Sequence, residues 1–546
     1  MTFIADIVGN YYKVGSGVIL GVVLIWLVVK VNTKSPLKNI NGPSSDSWLT
    51  GHMLKLFDPN GFFYHEQLVD KYGDIFKYKG LAGESSLYVS DPRALQHILF
   101  NDGKLFEAPD RSLALSQLLF GPGVSGVRGH QHRKQRRTLN PVFAAGHTKE
   151  LAPILNSIAG NFIKKLEAEV GTQGDVKVDI LEHFSHVTLE AIGQCGLGYS
   201  FEQEGDAYGE AAGNLIPTLT ELRVFIPILP TLIKLGPRVF RKWVVDKLPI
   251  ASLKKMKSIV NLIYGTSVKI YDRKSKAFKN DSFEAGVPDG SDIMTSIFKA
   301  NNSAKASNRL ERDEILVSSD LLSSLLVFAA HDTTSGALSR ILEVLSNNKE
   351  AQDKLRAEIK NASAADGNFE HDVVQSLPYL EKIIKEVLRL FPPLITMERI
   401  ATKDTVLPLS RPIHTTDGHH ISAIPLKAGT TVMMGLAAAN RSKFVWGEDA
   451  REFKPDRWDD VEKSEKDKSK SLPGVWSSIL TFLGGTRACI GYRFALLEMK
   501  VILSHLIQTF EFKEADVNIS WRIGAIQSPH TDEKDEPSLP LLLNAV

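Results

Sequence analysis

The stretch from Leu310 to Asn347 contains no proline, and its middle part is largely apolar. This pattern predicts a single helix of roughly ten turns, far longer than the ~11-residue average of globular proteins. A helix of that length has to cross the middle of its domain, which predicts a mainly α fold. A small β region is predicted near Tyr78–Ser90 and at Arg411–Val432, where Asp417-Gly418 signals a hairpin turn. Asp332, Thr333 and Thr334 are mediocre helix formers at its centre, and such local inconsistency is typical of functional sites.

A second constraint is the loop from Phe482 to Gly491, which carries Cys489 on a glycine-rich turn before an amphipathic helix. The dipole at the start of that helix favours an anionic sulfur. Zinc would require three or four Cys or His ligands at short spacing, whereas a single thiolate on an apolar loop indicates haem iron. The loop therefore predicts haem b with Cys489 as its axial ligand. The alternative is a chance glycine loop around a buried cysteine.

The same loop matches Phe-x-x-Gly-x-Arg-x-Cys-x-Gly at every fixed position, and in this it resembles the cytochrome P450 superfamily. The resemblance implies that Phe482, Gly485 and Gly491 shape the haem-binding loop and that Arg487 pairs with a haem propionate. The glycines allow tight turns and close approach of the backbone to the cofactor. Backbone amides that point at the sulfur would tune the potential of the iron.

The polar residues of the long helix resemble the oxygen-activation motif of the same family, Ala/Gly-Gly-x-Asp/Glu-Thr-Thr/Ser. By this resemblance Thr333 hydrogen-bonds oxygen at the iron, and Asp332 relays protons from solvent. Ala330 replaces the usual glycine and is expected to narrow the groove beside the haem. The alternative is a polar patch on a solvated helix face.

Glu386 and Arg389 lie three residues apart on a helix predicted from Tyr379 to Leu390, just before a double proline. By spacing alone they form an ordinary exposed pair worth about 0.2–0.5 kcal/mol. The later segment from Phe453 to Trp458 resembles the second arginine motif of the family. By that resemblance Arg457 joins Glu386 and Arg389 in a buried structural cluster that locks the loop beneath the haem.

Two further motifs resemble regions that face the haem propionates. His132 and Arg136 match a helix in which the family carries a Trp-x-x-x-Arg pair, with histidine here in place of tryptophan. Arg399, which follows the double proline, matches another propionate-facing arginine. The resemblance thus adds His132, Arg136 and Arg399 to the cofactor-binding residues.

Length, charge and cysteine content limit the interpretation of the whole chain. The motifs run in one order along the 546 residues, so a single catalytic domain over 46–546 is predicted. A net charge of +2 gives no support for nucleic-acid binding. The two cysteines, Cys195 and Cys489, cannot form a disulfide framework, so the domain is expected in a reducing compartment.

The N-terminus carries an uncharged run from Val14 to Val29, bracketed by Lys13 and Lys30. At 1.5 Å per residue the run spans about 24 Å, and both lysines can snorkel to the bilayer edges. Residues 1–30 are therefore predicted to be a single-pass membrane anchor, and 31–45 a proline-containing hinge. A cleaved signal peptide is the alternative, but no small-x-small cleavage site follows the run. Lysines are more numerous after the run than before it, which places the domain in the cytosol.

Together the motifs resemble a membrane-anchored, microsomal class-II member of the family. The resemblance implies a monooxygenase of the endoplasmic reticulum membrane that inserts one oxygen atom of O2 into a C–H bond. It further implies that electrons come from NADPH through a separate NADPH–cytochrome P450 reductase, with cytochrome b5 as a second candidate donor. The phrase from Pro412 to Gly418 is similar to fungal members.

The positions expected to line the pocket are mostly apolar, which suits a lipophilic terpenoid, sterol or aromatic of secondary metabolism. These positions are Leu113–Leu119, Phe328, Ala329, Leu394–Met397 and Trp521–Ile526. A haem-thiolate isomerase or peroxide-using enzyme and a non-catalytic haem sensor are the alternative functions. Neither needs a proton relay, so the intact Asp332 and Thr333 argue against both.

Overall fold

The computed structural model describes residues 36–45, 47–171, 174–204, 207–279, 292–303, 312–363, 369–463 and 470–546. The predicted membrane anchor, 1–30, and the start of the predicted hinge, 31–35, lie outside these ranges. Within them, no helix taken singly has the length and apolar character needed to cross a membrane. The pair Ala207–Glu221 and Phe225–Leu232, bent by 83°, meets the criterion only when taken together.

Helices account for most of the described structure. In the first half of the chain they are α1 (Met53–Leu56), α2 (Phe62–Tyr72), α3 (Pro92–Phe100), α4 (Asp110–Phe120), α5 (Gly129–Leu139), α6 (Ala145–Glu150), α7 (Ala152–Val170), α8 (Ile180–Ala191), α9 (Phe201–Glu204), α10 (Ala207–Gly213), α11 (Leu215–Glu221), α12 (Leu229–Leu232), α13 (Arg238–Lys247) and α14 (Ala251–Lys279). In the second half they are α15 (Ile293–Ser303), α16 (Arg312–Ser346), α17 (Lys349–Ala362), α18 (His371–Gln375), α19 (Pro378–Leu390), α20 (Leu436–Asn440), α21 (Lys443–Trp446), α22 (Arg457–Lys463) and α23 (Tyr492–Thr509).

The predicted long helix is confirmed as α16, which spans 35 residues. It packs against α8, α14, α19 and α23. In its C-terminal half, Leu338, Ile341 and Leu342 are 0% exposed. A helix covered from several sides forms the centre of the main apolar core and provides a rigid support for any residue in its middle turns.

Strands form a smaller part of the structure. They are β1 (Ile75–Lys79), β2 (Ser85–Val89), β3 (Phe106–Glu107), β4 (Val176–Asp179), β5 (Thr396–Ala401), β6 (Thr405–His414), β7 (His420–Leu426), β8 (Thr431–Gly435), β9 (Phe510–Glu514), β10 (Ile519–Ile523), β11 (Gln527–Thr531) and β12 (Pro540–Ala545). The largest sheet has the order β1-β2-β8-β5-β3, and a second has the order β4-β12-β9. The hairpin predicted at Asp417-Gly418 is confirmed, because β6 and β7 pair antiparallel and Gly418 has a φ of +83°.

The β10–β11 hairpin is held against α16 by a cation between two aromatic rings. The Arg340 guanidinium lies 4.3 Å from the ring centroid of Phe391 and 3.6 Å from that of Trp521. The Glu343 carboxylate accepts hydrogen bonds from the Trp521 indole and from Arg340, both at 2.9 Å. These contacts position the hairpin turn, part of the predicted pocket, beside the central helix.

The described end of the predicted hinge packs along the β6–β7 hairpin. Leu37 is 1% exposed. The Asn39 amide donates to the Asp417 carboxylate at 2.5 Å, and the Asn41 amide donates to the His414 carbonyl at 2.8 Å. The chain therefore enters the domain in contact with this hairpin.

Candidate active site

The loop before α23 takes its shape from glycine at one position in particular. Gly485 has a φ of +70°, and a Cβ there would lie 2.2 Å from the Leu99 carbonyl oxygen. No other residue fits that position without strain. Gly491 has an ordinary φ of −90°, and a Cβ there would meet Phe143 only at 3.9 Å. Packing within the described chain therefore does not require glycine at 491, but its backbone N–H hydrogen-bonds the Cys489 sulfur.

The Cys489 thiol is reachable yet surrounded by protein. Its side chain is exposed, whereas the preceding Ala488 is buried, and its backbone N–H donates to the Phe482 carbonyl at 2.9 Å. Desolvation raises the pKa of the thiol, while the Gly491 N–H and the Arg136 charge act in the opposite direction. A thiol whose pKa is raised by burial and lowered by a hydrogen bond and a nearby cation becomes a stable thiolate when a metal cation binds the sulfur.

Three guanidinium groups and one imidazole lie in this loop or beside it. Arg136 donates to the backbone carbonyl that precedes the cysteine at 3.0 Å. Arg399 and Arg487 share the buried Asp102 carboxylate at 3.1 and 3.9 Å. Burial, followed by the charges of Arg487 and Arg136, lowers the pKa of His132 to about 4. His132 is therefore a neutral donor or acceptor among fixed cations.

The nearby carboxylates do not balance these cations. Asp102 lies between two arginines and Glu107 lies 3.3 Å from Arg487, whereas Arg136 has no carboxylate partner in the part of the chain that the structure describes. Guanidinium groups bind carboxylates through charge-assisted hydrogen bonds. The residues therefore fit haem, because its iron takes a thiolate and its propionates require cations.

The middle of α16 carries the predicted acid and alcohol. The Thr333 hydroxyl donates to the Ala329 carbonyl at 2.5 Å, a back-bond of the kind that bends helices slightly. Burial raises the pKa of Asp332 to about 7. His331, 3.6 Å from Asp332, offers no compensating charge because burial lowers its pKa to about 4. Asp332 can thus both hold and release a proton near neutral pH.

The two halves of the candidate site lie on neighbouring helices. The central α16 packs against α23, which begins just after Cys489, and against α4. The Phe328 and Phe120 rings of α16 and α4 lie 4.9 Å apart. Ala329 is exposed although it lies in the middle of a helix. This leaves an accessible face of α16 beside the aromatic pair, with Ala330, where the family carries glycine, half-buried on the next position.

Glu386, Arg389 and Arg457 form one buried ionic cluster. Glu386 and Arg389 are 0% exposed. Arg389 donates to both Glu386 oxygens at 2.8 and 2.9 Å, and Arg457 donates to one of them at 2.8 Å. The Trp458 indole and the Lys454 backbone N–H add hydrogen bonds at 3.1 and 3.0 Å. Each carboxylate oxygen therefore accepts at least two hydrogen bonds, which compensates for the loss of water.

We expect Glu386→Ala to reduce the yield of haem-loaded protein and to leave KM unchanged in the fraction that folds. The substitution leaves the Arg389 charge fully buried without its carboxylate partner. This should lower the free energy of unfolding by about 3–5 kcal/mol. Purified haem content and thermal denaturation provide the measurement. Glu448→Ala is the matched control, because Glu448 pairs with Lys443 at 2.7 Å but is 89% exposed. A haem-replete Glu386 variant with altered substrate preference would contradict the structural role.

Sequence patterns did not identify several charged residues of this region. Asp102 and Glu107 face the propionate-side arginines. Arg111 on α4 pairs with Glu398 on β5 at 2.5 Å. The sequence offered one signal for Glu398: it directly precedes Arg399. If the two residues lie on a strand, as they do on β5, their side chains point to opposite faces.

The chain is similar to known proteins along almost its whole length. The family model described as Cytochrome P450 matches residues 41–522. The chain is 40% identical over 515 residues to cytochrome P450 monooxygenase 212 of Postia placenta, a match that covers 93% of each protein. It is 33% identical over 536 residues to a ganoderic acid synthetase of Ganoderma lucidum, with 95% of this chain and 96% of the relative covered. The chain therefore belongs to the cytochrome P450 family of haem-thiolate monooxygenases.

Proposed function

We propose that the protein binds haem through Cys489 and inserts one oxygen atom of O2 into a C–H bond of a lipophilic small molecule. One observation carries the proposal: the consecutive residues Asp332, a buried acid whose pKa is raised to about 7, and Thr333 lie on a helix that packs against α23, the helix after Cys489. Haem, when bound, supplies the redox chemistry of O2 that amino-acid side chains lack.

The side chains around the cofactor have separate tasks in this proposal. Arg136, Arg399 and Arg487 hold the propionates and fix the orientation of the ring. The Thr333 hydroxyl donates its proton to the Ala329 carbonyl, and its oxygen lone pairs can accept a hydrogen bond from a group beside α16. Asp332, whose side chain is 19% exposed, exchanges protons with solvent and passes them inward.

Apolar surroundings support a lipophilic substrate. The Phe120 and Phe328 rings lie next to the exposed Ala329, tilted by 38° with their centroids 4.9 Å apart, and aromatic side chains bind apolar ligands while excluding water. One relative is named for the synthesis of ganoderic acid. We therefore propose a terpenoid, sterol or aromatic substrate of secondary metabolism.

Turnover under two regimes separates this proposal from its alternatives. The holoenzyme is incubated with a panel of terpenoids, sterols and aromatics, first selected by a low-to-high-spin shift of the haem spectrum. Hydroxylated product with NADPH, reductase and 18O2, carrying one 18O atom, supports the monooxygenase. Product that forms with peroxide but not with NADPH and reductase indicates a peroxide-using enzyme. An isomerised product without 18O indicates an isomerase. Ligand binding without turnover under either condition indicates a sensor.

We predict that oxygen consumption by the wild-type enzyme falls as the pH rises through about 7. The protonated fraction of Asp332 declines there, because its pKa is about 7, and a deprotonated carboxylate cannot donate. Asp332→Asn should be slower at pH 6 and should lack this descending limb. NADPH-dependent oxygen uptake between pH 6 and 8.5 is the measurement. An Asn variant that keeps the wild-type profile would exclude Asp332 as the titrating group.

A basic surface beside the cysteine loop supports a separate flavoprotein reductase, or cytochrome b5, as electron donor. Arg133 and Arg137 on α5 and Arg493 at the start of α23 are exposed, and Lys134 is half-buried between them. The hydrogen bond from Arg136 to the cysteine loop shows that α5 lies next to the proposed ligand. A negatively charged partner docked on these cations would lie next to the Cys489 loop, close to the iron that Cys489 is proposed to bind.

We also propose that residues 1–30 anchor the protein in the endoplasmic reticulum membrane, with the domain in the cytosol. In sealed microsomes, a protease-sensitive tag after Val546 should be cleaved without detergent. The exposed sequon at Asn518 should carry no glycan. Asn440, another sequon, is uninformative because it is fully buried. Protection of the tag, together with a glycan at Asn518, would reverse the orientation.

A further inference from the structure

Two histidines lie side by side across the strands of the β6–β7 hairpin. His414 ends β6, His420 begins β7, and they are direct partners in the register. The next pair towards the turn, Thr415 and His419, carries the backbone hydrogen bond at 2.9 Å. His414 and His420 are therefore a non-hydrogen-bonded pair, the kind whose side chains come closest. Their ring centroids are 3.8 Å apart.

Both imidazoles are accessible to a ligand. His414 and His420 are exposed, and neither ring has a nitrogen engaged in a hydrogen bond among the residues that the structure describes. By contrast, the rings of His65 and His530 bond backbone carbonyls at 2.9 and 3.1 Å. Neutral imidazole nitrogens are preferred ligands of Cu2+, Zn2+ and Ni2+.

We propose that His414 and His420 form a two-ligand chelate for a divalent transition-metal ion of the Cu2+ and Zn2+ class. No cluster of three or more His, Cys, Asp or Glu side chains is placed to hold a metal within the described ranges. Water would therefore complete the coordination shell, unlike the four protein ligands of a closed structural zinc centre. Cu2+ is the strongest candidate, because it stands highest in the affinity order for nitrogen ligands.

The metal would link two strands at the base of the turn that holds the entering chain. The His414 carbonyl accepts the Asn41 amide, and the Asp417 carboxylate in the same turn accepts the Asn39 amide. A bound ion stabilises only conformations in which both rings are adjacent, so it opposes local opening of the hairpin. The site thus lies where the described end of the predicted hinge meets the domain.

The test is a Cu2+ titration of the holoenzyme, followed by electron paramagnetic resonance. We expect one tight equivalent whose spectrum shows two coordinated imidazole nitrogens. His414→Ala and His420→Ala should each weaken that equivalent by about tenfold or more, because the second imidazole is supplied intramolecularly at a high effective concentration. His419→Ala is the matched control, because His419 is an exposed histidine one position nearer the turn, opposite Thr415 instead of a second histidine. It should bind Cu2+ like the wild type.

Two further measurements make the outcome decisive. The carbon monoxide spectrum should be the same in all variants, which shows that the haem site is intact. Amide hydrogen exchange in 415–420 should slow on addition of Cu2+ to the wild type and not to His414→Ala. Equal affinity in wild type and His414→Ala, a signal from a single imidazole, or equal weakening by His419→Ala would each overturn the proposal.

Discussion

Replacing Cys489 with alanine is expected to abolish the red-shifted Soret band of the reduced carbon monoxide complex, because that band reports an iron–thiolate bond. Cys195 cannot replace it. Cys195 is 0% exposed within the π-helical turn Ile192–Leu197, and burial raises the pKa of its thiol well above the usual range. The measurement is the reduced carbon monoxide difference spectrum, normalised to haem content.

Cys195→Ala is the matched control for this prediction. It removes the other cysteine of the chain and should leave the Soret band in place, although it costs some stability through the cavity that it creates. Persistence of the red-shifted band in Cys489→Ala would rule out Cys489 as the ligand.

A second large effect is expected at Thr333, where alanine should divert reducing equivalents from product to hydrogen peroxide. The hydroxyl is already fixed by its bond to the Ala329 carbonyl, so it presents its lone pairs in a defined direction. Positioned acid–base assistance is typically worth ~10²–10⁴-fold, and product per NADPH should fall by a factor in that range. Haem content and substrate-dependent NADPH consumption should be retained. Product, peroxide and NADPH are measured in the same reaction.

Two variants decide whether the hydroxyl itself is responsible. Thr333→Ser keeps the hydroxyl and should restore most of the coupling. Thr334 is 2% exposed, and Thr334→Ala should leave product per NADPH close to the wild-type value. Unchanged coupling in Thr333→Ala, with a loss in Thr334→Ala, would transfer the role to Thr334.

Features set by neighbouring residues could be predicted from the sequence. The absence of proline from Leu310 to Asn347 is a local property, and together with the apolar residues there it predicted α16. The Asp417-Gly418 pair sufficed for the β6–β7 turn, because glycine tolerates the φ of +83° found there. The haem-binding loop belongs to the same class, since its glycines, arginine and cysteine lie within ten positions of one another.

Features that depend on distant residues could not be predicted. The Asp102 carboxylate meets Arg399 across 297 positions, and no local pattern marks such a pair. The burial of Glu386 does not follow from its spacing with Arg389 and was predicted only through the family resemblance, because Arg457 joins it from 71 positions away. The strand β12 was missed for the same reason, as it pairs with β4 near residues 176–179. In each case long-range packing, and not local propensity, decides the environment.

The membrane anchor and the domain limits remain predictions. The anchor residues lie outside the described ranges. The described part of the hinge adds one physical detail, since Leu37 is buried and Asn39 and Asn41 bond the β6–β7 hairpin. Within the described residues, the chain at Leu37–Asn41 is therefore held against the domain.

The charges of this molecule are divided between two environments that respond differently to ionic strength. The Arg399–Asp102 and Arg389–Glu386 pairs are buried, with at most 3% of each side chain exposed, so added salt screens them little. Arg133, Arg137 and Arg493 are exposed, and at 0.15 M salt their fields decay over about 8 Å. A salt titration of turnover should therefore weaken partner docking while the cofactor site keeps its geometry. Ionic strength becomes a means of separating electron delivery from the chemistry at the haem without altering a single residue.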